Sequence, residues 1–169
     1  MRSEGVRPSF LPSTGPAPSR IRLIIQPPDV YVDEPYLSIR WDGIHHHVFS
    51  EWKGFANSEE IRTSLMKGIR AIRDHSATCW VSDARKMKVF VHDDQKWAKE
   101  IWMPLAVRAG LKRLAFVTAP TGLGKLTIED VSGLYNDAGL QSRTFDSITA
   151  ARQWVSQASA IPPAERATA

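Results

Sequence analysis

At 169 residues, with 43% hydrophobic and 24% charged side chains, the chain has the composition of one ordinary globular domain. No apolar run approaches the ~20 residues needed to span a bilayer. A net charge of +4 and a pI near 9.4 permit an acidic partner but are modest for a dedicated nucleic-acid surface, and no recognised nucleic-acid motif accompanies them.

Residues 1–28 form a Pro-rich leader. Met1 to Ser19 holds four prolines and few large apolar residues, a composition that cannot offset the entropy of ordering. Ile21 to Ile25 could form a short edge strand before Pro27 and Pro28 stop it. Pro, Ser and Gly interrupt any apolar stretch behind the first basic residues, so no secretory signal is read and the cytoplasm is the expected compartment.

The domain is expected over residues 29–158. Leu37, Ile39 and Trp41 alternate against Ser38 and Arg40 up to an Asp42-Gly43 turn signal, the first arm of a hairpin. On the returning arm His46, Val48 and Trp52 share one face and His45, His47, Phe49 and Glu51 the other, with one face expected to meet the core. Asn57 with Glu60 has capping-box spacing, and Ile61, Leu65, Ile69 and Ile72 then recur at helical period to about Asp74. Ala77 to Asp83 is an apolar run suited to a buried strand, so the single Cys79 reads as a buried structural thiol.

After a charged loop, Asp93 and Asp94 favour a helix start through the dipole. Trp97, Ile101, Trp102, Leu105 and Ala109 give that helix a broad apolar face. Pro104 removes the hydrogen bond to the carbonyl of Glu100, which predicts a bend or break, and Gly110 is the stop. Leu114 to Thr118 is a strand, a Gly-containing loop follows, and a helix enters at Thr127 and ends by Asn136 to Gly139. A strand at Leu140 to Phe145 and a helix from Ser147, with Ile148, Ala151 and Val155 inward, complete the domain. Residues 159–169, with Pro162 and Pro163, read as a flexible tail. The order ββαβαβαβα predicts an α/β fold, a mixed sheet that is mostly parallel after the hairpin.

Four stretches in this order resemble the SpoIIAA-like family: Trp52-Lys53-Gly54-Phe55, Trp80-Val81-Ser82-Asp83-Ala84-Arg85, Trp97 with Trp102-Met103-Pro104, and Ala109-Gly110-Leu111-Lys112. The likeness runs from about Tyr31 to Gln157. It implies a STAS-type fold, with helices mainly on one face of a mixed sheet, and a regulatory protein in the bacterial cytoplasm. It implies little chemistry. Many STAS modules are controlled by phosphorylation of a serine at the start of the second helix. Here the loop from Ala84 to Asp94 holds no Ser or Thr, and Ser82 falls within a strand, which puts that switch in doubt.

The segment Arg85 to His92 mixes cations with apolar side chains where a short polar turn would suffice. Asp83, Arg85, Met87, Lys88, Phe90 and His92 are therefore the candidate partner-binding residues, with Met87 and Phe90 as apolar anchors. Val89 and Phe90 could instead fold inward over the sheet edge. Asp83 with Arg85 reads as a structural ion pair, and no catalytic constellation is found. Alternation separates His45 and His47 from His46, so at most two imidazoles converge and no metal site is assigned. Ala119 to Lys125 sits between strand and helix like a phosphate-binding loop. Leu126 stands where magnesium needs a hydroxyl, and Glu129 and Asp130 compete for the helix dipole, so no nucleotide or other cofactor is assigned. Arg62, Arg70 and Arg73 form a stripe on the first helix that reads as a solvated face.

The function expected is a non-enzymatic STAS-type module that recognises a protein partner, with homodimerisation open and nucleic acid disfavoured. The alternative is a carrier or sensor of a small apolar or lipid-like ligand, since related folds include CRAL-TRIO lipid carriers and Trp80, Trp97 and Trp102 could line a pocket. Trp80, Trp97, Trp102 and Trp154 could equally fill the core.

Overall fold

The computed structural model describes residues 29–88, 90–119 and 139–157. The expected leader, the strand at Ile21 to Ile25, the Gly122–Lys125 loop, the helix from Thr127 and the tail lie outside these residues. Within them the chain is α/β. Strands β1 (Val30–Asp33), β2 (Leu37–Asp42) and β3 (His47–Trp52) precede helix α1 (Ser58–His75) and strand β4 (Cys79–Asp83). Helix α2 (His92–Trp97), a π turn (Ala98–Trp102) and helix α3 (Met103–Ala109) lead to β5 (Arg113–Val117). Strand β6 (Gln141–Phe145) and helix α4 (Ile148–Ser156) follow.

The six strands lie side by side in chain order. The pairs β1/β2 and β2/β3 are antiparallel, whereas β3/β4, β4/β5 and β5/β6 are parallel. Because successive side chains in a strand point to opposite faces, the strands feed two separate cores. Leu37, Ile39, Val48, Trp80 and Leu114 pack with Ile61, Ile69 and Ile72 of α1 and with Trp102 and Ala106. On the other face Phe49, Cys79, Val81, Ala115 and Val117 meet Ala151 and Val155 of α4.

The fold thus has one strand more than the sequence reading assigned, because β1 adds an edge to the expected hairpin. The second arm also differs. Glycine and the residues after it form a turn over 43–46, in which the Asp42 carboxylate accepts the backbone N–H groups of Ile44 (3.2 Å) and His45 (3.0 Å). His46 adopts a left-handed φ of 53°, so His45 and His46 precede the strand instead of lying in it. Both faces of β3 are covered: His47 and Phe49 are buried on one, Val48, Ser50 and Trp52 on the other.

Helix α1 begins as expected. Asn57 Oδ1 accepts the Glu60 N–H (3.0 Å) and Glu60 Oε2 accepts the Asn57 N–H (2.8 Å), so two N-terminal donors are satisfied reciprocally. Gly68 in mid-helix has a steric cause, for a Cβ there would lie 2.2 Å from Cη2 of the Trp80 ring. Around Pro104 the helical path widens where a break was an alternative. The Met103 N–H donates to the Ala98 carbonyl five residues back, and the extra residue relieves the proline ring's crowding of the preceding turn. Gly110, at φ 122°, then ends α3.

Candidate functional site

Parallel strands β3, β4 and β5 all present their carboxyl ends to the segment that leaves β4, the place where open α/β sheets form crevices. The residues facing α1 there are Ser50 and Trp52, Trp80 and Ser82, and Leu114 and Phe116. Leu65 from α1, Trp102 from the π turn, and Met87 and Phe90 from the segment after β4 complete the lining of a cavity of about 40 Å³. Its walls are almost wholly apolar. Trp80 and Trp102 meet edge to face, with centroids 5.5 Å apart. The Trp80 indole N–H donates to Ser50 Oγ (2.9 Å) and that of Trp102 to the Leu65 carbonyl (2.9 Å), so neither buried ring leaves its donor unsatisfied. Ser82 lies beside Ser50 in the β3/β4 register, is 5% exposed, and its hydroxyl makes no hydrogen bond among the described residues.

The covering segment is tied at both ends. Asp83 is buried and holds Arg85 through two parallel bonds, Nε to Oδ1 (2.9 Å) and the terminal nitrogen to Oδ2 (2.8 Å), while Oδ1 also accepts the Arg85 backbone N–H (3.2 Å). This carboxylate raises the guanidinium above its already high ordinary value. At the far end Gln95 Nε2 donates to the Phe90 carbonyl (2.7 Å). Next to it Asp94, 1% exposed, accepts Ser58 Oγ–H (2.7 Å) and Arg62 Nε–H (2.9 Å), which binds the start of α2 to the start of α1.

Of the expected contact residues, Met87 and Phe90 are half-buried and line the cavity, whereas Arg85, Lys88 and His92 are exposed. Trp80 and Trp102 share the cavity with them. Trp97 does not; its ring lies under the Arg62 guanidinium, 5.5 Å from the centroid. Arg62 is therefore not part of a solvated stripe, and Arg70 reaches Asp74 (3.5 Å), leaving Arg73 exposed. Ser50, Ser82, Leu114 and Phe116 went unread as site residues. The even alternation of each strand marks their face, but only the parallel register brings them together.

The histidines serve another face. His45 Nδ1 bonds the Asp42 carboxylate (2.9 Å), which also accepts from Arg152 (2.8 Å). Burial would raise the Asp42 carboxyl, yet its hydrogen bonds from His45 hold it below the usual range. His47 is fully buried, and neither ring nitrogen finds a hydrogen-bond partner within normal distance among the described residues. Burial lowers it to about 4, Asp42 opposing and Arg152 adding to the shift. Among the described residues no three His, Cys, Asp or Glu side chains are grouped to hold a metal ion. Cys79 is buried, and burial raises its thiol, which donates to the Val155 carbonyl (3.5 Å). No helix among the described residues is long and apolar enough to cross a membrane.

Comparison of the chain with protein-family models, with curated proteins and with solved structures finds no match.

Proposed function

We propose that the chain is a non-enzymatic binding module of the bacterial cytoplasm, STAS-type by its ordered motifs, whose ligand is a small apolar or lipid-like molecule. One observation carries this reading. The apolar residues of the 85–92 segment, Met87 and Phe90, line a cavity with Trp80 and Trp102 in place of projecting as anchors for a protein surface. The cavity, about 40 Å³, is below the few hundred Å³ of a usual small-molecule site, so on this reading a ligand enters only as Met87 and Phe90 move outward.

A second reading, a protein partner, is favoured by the outward side of the same segment, where Arg85, Lys86, Lys88 and His92 are exposed together and suit an acidic surface. Native mass spectrometry of the protein purified from its own cell separates the two. The expected result is a bound small molecule on the wild type that is lost from a folded Phe90→Asp variant, because a charge enters the apolar lining. A ligand-free wild type, together with an acidic protein captured by the wild type and lost with Lys88→Glu, would overturn the ligand reading in favour of the second.

A further inference from the structure

We infer a second binding site, for a phosphate monoester, in the groove between the turn that precedes β3 and the outer face of α4. Thr149, Arg152, Gln153 and Ser156 line it from positions i, i+3, i+4 and i+7 and so share one face of that helix. Ile44, His45 and His46 of the turn form the facing wall, and the space between measures about 570 Å³. That falls within the few hundred to about 1,000 Å³ of usual small-molecule sites. The groove is independent of the Trp80 and Trp102 cavity, which lies at the carboxyl end of β3 on the side of α1.

Charge and donors select the ligand. Among the described residues no Asp or Glu lines the groove, whereas a guanidinium, two imidazoles, two hydroxyls and a carboxamide do. The nearby Asp42 carboxylate is already taken by the backbone N–H groups of Ile44 and His45, by His45 Nδ1 and by Arg152. The same bonds fix the site. His45 is held through Nδ1 (2.9 Å), which leaves Nε2 to a ligand. Arg152 gives one terminal nitrogen to Asp42 (2.8 Å), rests 5.4 Å from the Phe49 ring centroid, and keeps its side chain 29% exposed. Groups placed beforehand lose less freedom when a ligand arrives. A phosphate monoester brings three acceptor oxygens, enough to engage donors of both walls at once, where a carboxylate brings two. Ile44, 86% exposed, offers an apolar contact to the organic remainder.

Isothermal titration of the full chain at pH 7 with phenyl phosphate, with benzoate, and with phosphatidylcholine vesicles holding phosphatidic acid tests this. Phenyl phosphate is expected to bind at least about 10-fold tighter than benzoate. Gln153→Glu alters an exposed side chain outside both cores, with folding checked by circular dichroism, and should weaken phenyl phosphate by about 10-fold through like-charge repulsion. Lys67→Glu, exposed on α1, changes the net charge by more and should leave binding within about 2-fold. If the vesicles bind and respond to Gln153→Glu while phenyl phosphate does not bind, the phosphate site stands and its source is a lipid headgroup. The inference is overturned if neither phosphate binds, if benzoate binds as tightly, if Gln153→Glu changes nothing, or if Lys67→Glu weakens binding equally, which would mark a general attraction to a basic chain. None of these outcomes touches the apolar-ligand reading, which native mass spectrometry decides.

Discussion

Replacing Gly68 by alanine sets two opposed effects against each other. In an exposed helix interior the change should stabilise by about 1 kcal/mol, because glycine loses more backbone freedom on folding than alanine. Here the new methyl would stand 2.2 Å from Cη2, 2.8 Å from Cζ3 and 3.4 Å from Cζ2 of Trp80. Ordinary contact requires ring and helix to separate by more than an ångström. Trp80 has little freedom to yield: it is 1% exposed, bonded to Ser50 and braced by Trp102. Overpacking of this kind costs roughly 1–3 kcal/mol or more, and loss of the Ser50 bond about 1 kcal/mol further. Gly68→Ala should therefore destabilise by a net ~1–3 kcal/mol, read as a lower midpoint in urea unfolding followed by circular dichroism. Gly54→Ala, with no atom within 4 Å of the added Cβ, serves as the control and should stay within about 0.5 kcal/mol of wild type. Combining Gly68→Ala with Trp80→Phe should lose less than the sum of the two, since the smaller ring makes room. A raised midpoint for Gly68→Ala would show that helix propensity governs and that Trp80 does not pack against this turn.

His47 titrates near 4 in the folded chain and near 6.5 when unfolded, so between these values the unfolded state binds more protons and stability falls as pH falls. From pH 7.5 to 5.0 this group alone should remove about 2 kcal/mol, and urea midpoints of His47→Phe should lose that part of the slope. Asp94→Ala leaves Arg62 and Ser58 without their shared buried acceptor and should cost about 3 kcal/mol, nearly unchanged in 1 M salt because the carboxylate is 1% exposed. Asn57→Ala removes one half of the capping box and should lower stability by about 1 kcal/mol in the same assay, Asn57→Gly by a few tenths.

What could be read from the chain alone was what neighbouring residues decide. The Asn57/Glu60 cap, the isoleucine stripe of α1, the Ser147 start of α4 and the Asp83–Arg85 pair all depend on residues within four positions of each other. Strand β1 was hidden because a register shift between Val30 and Val32 breaks its alternation, leaving Val30 57% exposed and Val32 buried. The burial of both faces of β3 depends on α4, which lies about a hundred residues further along. The site was half legible: the unusual mixture in the 85–92 segment marked it, and the tryptophans were suspected. That Phe90 turns toward Trp80 and Trp102, and that Ser50 sits beside Ser82, are set by packing between distant segments.

The chain-order arrangement of the six strands bears on how the protein can be made. No strand has to slip between two that are already paired, and each later strand adds to the edge its predecessor leaves open. On the ribosome, synthesis at about 5–20 residues per second lets the antiparallel β1–β3 meander form first, from connections of only a few residues. Each β/α unit emerging afterwards finds a finished template to its side, so assembly proceeds from the amino-terminal strands outward, and a stalled chain would expose one growing edge besides the outer edge of β1.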